Sequence, residues 1–331
     1  MNRSKIKKIV VLLIVLAFAL TMTACDTNGI EDELSNGNEE NDELIKETVS
    51  DVEGLVSILE KLETEDKVLI EFEDGDYEEN INIHEDYNFS KLTLISENPH
   101  GATIKQQPGE RGIEIHNSSN ITISGFKIIG DNENLDEKVG VGIWYSENID
   151  INNNHIKDFP FQGIYIHDSQ VNIEYNLINN NKDGGIRISN SIEESTIMKN
   201  SIINNSLGVQ IDNSDAYIYD NFISENDEVA ILITNSIADV IDNYIGDSFQ
   251  GIYISHSEGD IKSEEITISG NYFDLLELND IGIKYYYIGF DPNYEGDLET
   301  IKIANEYEQN IDNVGIYNPD DNPDIIAILT D

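Results

Sequence analysis

Trp144, Tyr165, His167 and Arg187 are the residues of this chain best suited to hold a ligand. Trp144 is the only tryptophan, and Arg187 is one of two arginines beyond the first few residues. Aromatic rings flanked by polar groups suit the apolar faces and hydroxyls of sugars, and Trp or Tyr offers wide contact for little lost entropy. Asp183 and Asp212 lie on either side of Arg187 in sequence and add carboxylates. Two carboxyls ~5–5.5 Å or ~6.5–9.5 Å apart would serve glycosidic bond cleavage. Arg187 with a nearby base would instead serve removal of a proton alpha to a carboxylate, and acidic neighbours could hold Ca2+. Copper would want Met, His or Cys, and His116 and His167 stand two repeats apart with no Met in their column. A large side chain on a β surface also has a purely structural use, which is to shield the sheet.

These residues sit in a recurring frame. Gly142-Ile143-Trp144-Tyr145 is followed by Gly163-Ile164-Tyr165-Ile166, Gly185-Ile186-Arg187-Ile188, Gly208-Val209-Gln210-Ile211, Ala230-Ile231-Leu232-Ile233 and Gly251-Ile252-Tyr253-Ile254, at steps of 21, 22, 23, 22 and 21. An Asn-x-Ile phrase keeps step through Asn154, Asn176, Asn200, Asn221, Asn243 and Asn271, and a serine column through Ser169, Ser191, Ser214, Ser236 and Ser257. Self-similarity at this period marks a solenoid, whose repeats bury apolar surface only against their neighbours. Short Ile- and Val-rich runs alternate in period two between Asn, Asp, Ser and Gly turns, so each coil of ~22 residues holds about three short strands. Stacked coils rise ~4.8 Å each, which lets one buried Asn per coil bond to the next.

In Gly-Ile-x-Ile the isoleucines point inward and x points out. Read down the stack, x gives Glu114, Trp144, Tyr165, Arg187, Gln210, Leu232, Tyr253 and Lys284. The next outward position gives His116, Ser146, His167, Ser189, Asp212, Thr234 and Ser255. The turn before each strand adds Asp158, Asp183, Asp227, Glu228 and Asp247.

The chain opens with Arg3, Lys5, Lys7 and Lys8, an apolar run from Ile9 to Leu20, and Met22-Thr23-Ala24-Cys25. That is the layout of a secretory signal over residues 1–24. Cys25 is the only cysteine, which excludes a disulfide within the chain. It follows small residues in a way that resembles a bacterial lipobox, which implies lipidation at Cys25 and a membrane-anchored, extracytoplasmic protein. Residues 25–47, rich in Asn, Asp, Glu and Gly, read as a disordered acidic tether to a domain over 48–331.

Removing the four signal cations leaves 15 Lys+Arg against 65 Asp+Glu, a net charge of −50. Such a surface repels nucleic acid and anionic lipid, and opposes polyanionic sugars unless a divalent cation or salt intervenes.

Ser50-x-x-Glu53 is a capping-box pattern, and Val52, Leu55, Val56, Leu59 and Leu62 fall on one helical face. This helix would cover the open end of the solenoid ahead of the strand beginning near Val68. With the Asp74-Gly75-Asp76-Tyr77-Glu78-Glu79 turn and the later Gly-Ile-x-Ile and Asn-x-Ile phrases, it resembles the pectin-lyase-like superfamily. Within that superfamily it looks nearest the carbohydrate-binding and sugar-hydrolase repeats, which include periplasmic copper-binding β-helix proteins.

The resemblance, over about Val52 to Tyr285, implies an all-β, right-handed parallel β-helix of about ten coils. Three functions go with such a fold: recognition of carbohydrate or cell-envelope polymer, for which the outward Trp144, Tyr165, His167 and Arg187 are the binding candidates, polysaccharide lyase or glycoside hydrolase chemistry, or a structural role as a surface adhesin. The paired-Asp, Gly-His-Gly and Arg-x-Lys motifs of polygalacturonase-like members have no match, and the Arg-containing signature of pectate lyases is missing. No motif marks residues 276–331, which are apolar enough at Ile325 to Leu329 to cover the last coils.

Overall fold

The computed structural model describes residues 44–62, 66–87, 89–131, 138–191, 193–255, 266–274, 286–290 and 301–307. Cys25, the signal segment, Ser257, Lys284 and most of 276–331 lie outside them.

The described residues form a parallel solenoid of about nine turns, close to the ten expected. Its first sheet has nine strands: Ile81–Ile83, Ile113–His116, Val141–Trp144, Gln162–His167, Gly184–Ser189, Leu207–Asp212, Val229–Thr234, Gln250–Ser255 and Tyr286–Phe290. Each pairs in parallel with the strands of the neighbouring coils, and the first and last have one such partner. The other strands form a second and a third sheet, joined because Ile266–Asp274 and Ile301–Tyr307 run through the corner between them. Inward Ile and Val side chains of all three sheets make one continuous core and are almost all fully buried. Each such side chain contributes about 1.5–3 kcal/mol by leaving water.

The chain enters the solenoid earlier than composition suggests. Leu44–Val49 is already a strand, paired with Lys67–Phe72, so Leu44 to Glu47 belong to the first coil and not to the acidic tether. Helix α1 (Val52–Leu59) lies between these two strands. Its N-cap is Asp51, not Ser50: Asp51 is extended, and its Oδ1 accepts from Gly54 N at 2.6 Å. That satisfies one of the helix's unpaired N–H groups. Val52, Leu55 and Leu59 join the core cluster, Ile58 and Leu62 pack against it, and Val56 points to solvent, so the helix covers the open apolar end.

The corners carry three ladders of side chains. Between the second and third sheets, each of Asn154, Asn176, Asn200, Asn221 and Asn243 donates its backbone N–H to Oδ1 of the Asn one coil later, all at 2.9 Å, and the last acceptor is Asn271. Their Nδ2 atoms bond backbone carbonyls of core residues such as Ile173, whose O is 2.8 Å from Asn200. A second ladder runs Ser118, Ser146, Ser169, Ser191, Ser214 and Ser236 through N–H to Oγ bonds. A third joins Asn181, Asn205 and Asn226. Every ladder residue is buried, and each bond of a ladder removes a backbone donor from the list of orphans.

Candidate binding face

The first sheet's outward side carries the expected residues in a different arrangement. Val141, Gly142, Ile143 and Trp144 pair with Ile164, Tyr165, Ile166 and His167, and on the other side with Ile113, Glu114, Ile115 and His116. Trp144 therefore belongs to the column of His116 and His167, and the glycine equivalent to Gly163 is Gly140. Ser146 leaves that column for the serine ladder. At the far end Tyr253 stands opposite Gly289, so the x column closes on glycine and not on Lys284.

The corrected columns explain Gly142. A Cβ there would come within 2.1 Å of the Trp144 ring, because the indole folds back over the glycine. Trp144 thus roofs the x position of its own strand. Its ring stacks on His116 (4.5 Å between centroids, 6° between planes) and leans on Tyr165 (5.8 Å, 52°). Tyr165 in turn lies parallel to His167 at 6.4 Å, and Tyr145 meets His167 edge-on at 5.6 Å. The structure so brings Trp144, Tyr165 and His167 together as one half-buried aromatic tract.

A guanidinium closes each end. Arg187 lies 5.9 Å from the Tyr165 ring, and its Nε bonds Asp212 Oδ2 at 2.9 Å. Gln210 Nε2 holds the same oxygen at 2.9 Å. Arg111, which the sequence reading passed over, sits 4.6 Å above Trp144 and bonds Glu114 at 2.7 Å. His116 Nε2 reaches the second oxygen of Glu114 at 3.4 Å. From the row of Arg111 to that of Arg187 the tract crosses three strand spacings, about 14 Å.

Tyr145 is the second residue missed. It occupies the turn column of Asn117, Asp168, Asn190, Asn213 and Asn235, all with φ between 47° and 56°, and its own φ is 52°. Asn and Asp tolerate this left-handed conformation, whereas a bulky side chain is strained by it. The other turns also hold Tyr175, Lys199 and Glu225 there, but Tyr175 packs under Lys199, whose Nζ is 3.1 Å from its hydroxyl. Tyr145 is 56% exposed, the most open of the large apolar side chains described.

Asp183 is not part of the tract. It precedes the strand that Asp212's neighbour Ser189 ends, and Asp212 pairs with Ser189. Six residues of extended chain separate the two carboxylate positions, about 20 Å, so Asp183 and Asp212 do not form a hydrolytic pair. Asp183 instead accepts a hydrogen bond from buried Gln162. His167 Nδ1 is buried with no hydrogen-bond partner, so any bond the ring offers outward comes from Nε2. Among the described residues no three His, Cys, Asp or Glu side chains converge as a metal ion requires. The strongly perturbed histidine lies on the third sheet: burial, partly offset by a bond to Asn179, pushes His155 down to about 4.

Comparison with known proteins decides the family. The sequence profile of the right handed beta helix region matches residues 80–223 and 139–287. The chain belongs to that family. Among solved structures this right-handed β-helix is similar to an alginate lyase from Paenibacillus sp. str. FPU-7, with a TM-score of 0.57 and 12% identity over 80% of this chain and 96% of the other. It is similar to pectate lyase Pel9A, at 0.56 and 9% over 83% and 82%. It also resembles the enzymatically active domain of Bacteriophage CBA120 tailspike protein 2, at 0.55 and 15% over 76% and 39%. At these identities the likeness is one of fold. No curated protein matches the chain.

Proposed function

We propose that this right-handed β-helix recognises a carbohydrate polymer along the outward side of its first sheet. The observation that carries the reading is the aromatic tract from His116 through Trp144 and Tyr165 to His167, bounded by Arg111 and Arg187. Rings set along the solenoid axis suit successive sugars of an extended chain, each stacking an apolar face while guanidinium, carboxylate and amide groups reach hydroxyls. Fold neighbours that act on alginate and pectate support the class of ligand.

A glycan array probed with residues 44–331, with and without Ca2+, tests this directly. Trp144→Ala and Tyr165→Ala should each lower binding tenfold or more, about 1.4 kcal/mol or above, with the circular dichroism unchanged. Binding that survives both changes removes the tract from the reading. Steady release of unsaturated product from uronate polymers, followed by ultraviolet absorbance, would replace recognition with lyase chemistry.

The basic, apolar and Cys25 segments support export and lipid anchoring at the cell surface. Metabolic labelling with a fatty acid should mark the wild-type chain and not Cys25→Ser.

A further inference from the structure

The arginines at the two ends of the tract are each matched by a carboxylate of the same face. Arg187 is fixed to Asp212, and Gln210 clamps the same Asp212 oxygen. Arg111 is fixed to Glu114, whose second oxygen faces His116. Both carboxylates are only 13% exposed, so solvent ions do not readily replace them. These are the only arginines of the chain beyond Arg3, and the domain around them is strongly acidic. A polymer carrying a carboxylate on every sugar would need uncompensated cations here, and would meet Glu114 and Asp212 at like charge.

We infer that the polymer this face takes is uncharged: the guanidinium and carboxylate pairs act as planar, bidentate hydrogen-bonding groups toward sugar hydroxyls, between which the rings stack. The inference rests on the carbohydrate reading above and narrows it to neutral glycans, in contrast to the alginate and pectate named for its fold neighbours. Each pair presents donor and acceptor side by side with no net charge, which is what vicinal hydroxyls require. Binding of this kind is little affected by salt, since no counterions are released or screened.

Affinity electrophoresis of residues 44–331 tests it, in gels carrying dextran, mannan, xylan, alginate or pectate, each at 0.05 M and 1 M NaCl with and without Ca2+. The expected result is retention by at least one of the neutral polymers, changed less than about twofold by salt, and none by alginate or pectate. Retention by alginate or pectate, weakened by salt or dependent on Ca2+, overturns the inference and leaves the carbohydrate reading standing. Retention by no polymer overturns both.

Asp212→Asn and Glu114→Gln sharpen the test, because each frees a guanidinium without removing a ring. Folded by circular dichroism, each should lose retention by the neutral polymer and gain salt-sensitive retention by alginate or pectate. If neither variant gains it, the carboxylates do not set the charge of the face, and the inference fails.

Discussion

At the corner between the second and third sheets one residue type is used six times, from Asn154 to Asn271. On the outward side of the first sheet seven successive strands present seven different pairs, from Glu114 with His116 to Tyr253 with Ser255. The two regions repeat with the same coils and the same strand spacing. They differ in what surrounds the side chain. Each ladder Asn is buried and accepts from a backbone N–H of the coil before it, so six successive coils from Asn154 to Asn271 have the same answer. An outward side chain meets water and its neighbours up and down the stack, so the fold accepts many answers. Uniformity is therefore a mark of stability and variation a mark of where function has room.

The strongest way to break this contrast is at the ladder. Asn200→Ala leaves the buried N–H of Asn176 without its acceptor and removes the Nδ2 bonds to the carbonyls of Ile173 and Met198, and should cost about 3 kcal/mol or more in chemical denaturation.

Acid should weaken the same side of the molecule next. His155 is neutral in the fold because burial holds its pKa near 4, whereas in the unfolded chain it charges below about 6.5. The unfolded state thus binds the proton first, and stability declines as pH falls from about 6.5 toward 4. Replacing His155 with Asn should flatten that slope in thermal melts.

On the face, Gly142→Ala should act through Trp144, whose ring occupies the space of the new methyl. Retention by glycan should fall nearly as far as in Trp144→Ala, while the melting temperature changes far less than in the ladder variant. Tyr145→Asn has the smallest expected effect and the opposite sign. It gives this turn the residue its column otherwise prefers, and should stabilise the domain by about 1 kcal/mol, or about 2–4 °C. If Tyr145 contacts the ligand from the rim, the same variant binds more weakly; a gain in stability with unchanged binding assigns the tyrosine to the surface alone.

The repeat phrases made the solenoid, its Asn column and most of its serine column readable, because inward positions tolerate so few residue types. What misled was the pair Gly140 and Gly142. A slip of two residues in a strand keeps every side chain on its proper side, so inside and outside were assigned correctly while Trp144 was placed in the wrong column. The coil from Gly112 to Gly140 is 28 residues long against 21 to 23 for those that follow, and this hid the true phase. Arg111 escaped notice because it stands before Gly112 and reaches the tract only through the length of its side chain and the fold of the indole. Asp183 and Asp212 looked close because they stand on neighbouring coils, but they lie at opposite ends of the strand length.

The three ladders all point one way. In each, the backbone N–H of one coil donates to a side chain of the next coil toward the C-terminus, from Phe126 to Asn154 and on to Asn271, and likewise along the serines and the second asparagine row. A chain that folds as it emerges from its N-terminal end therefore always has an unfinished rim at its leading coil, with donors waiting for residues not yet delivered. Each arriving coil completes its predecessor and exposes a new rim of its own, so the solenoid grows by a rule of succession, and a chain cut short ends on unmet hydrogen bonds.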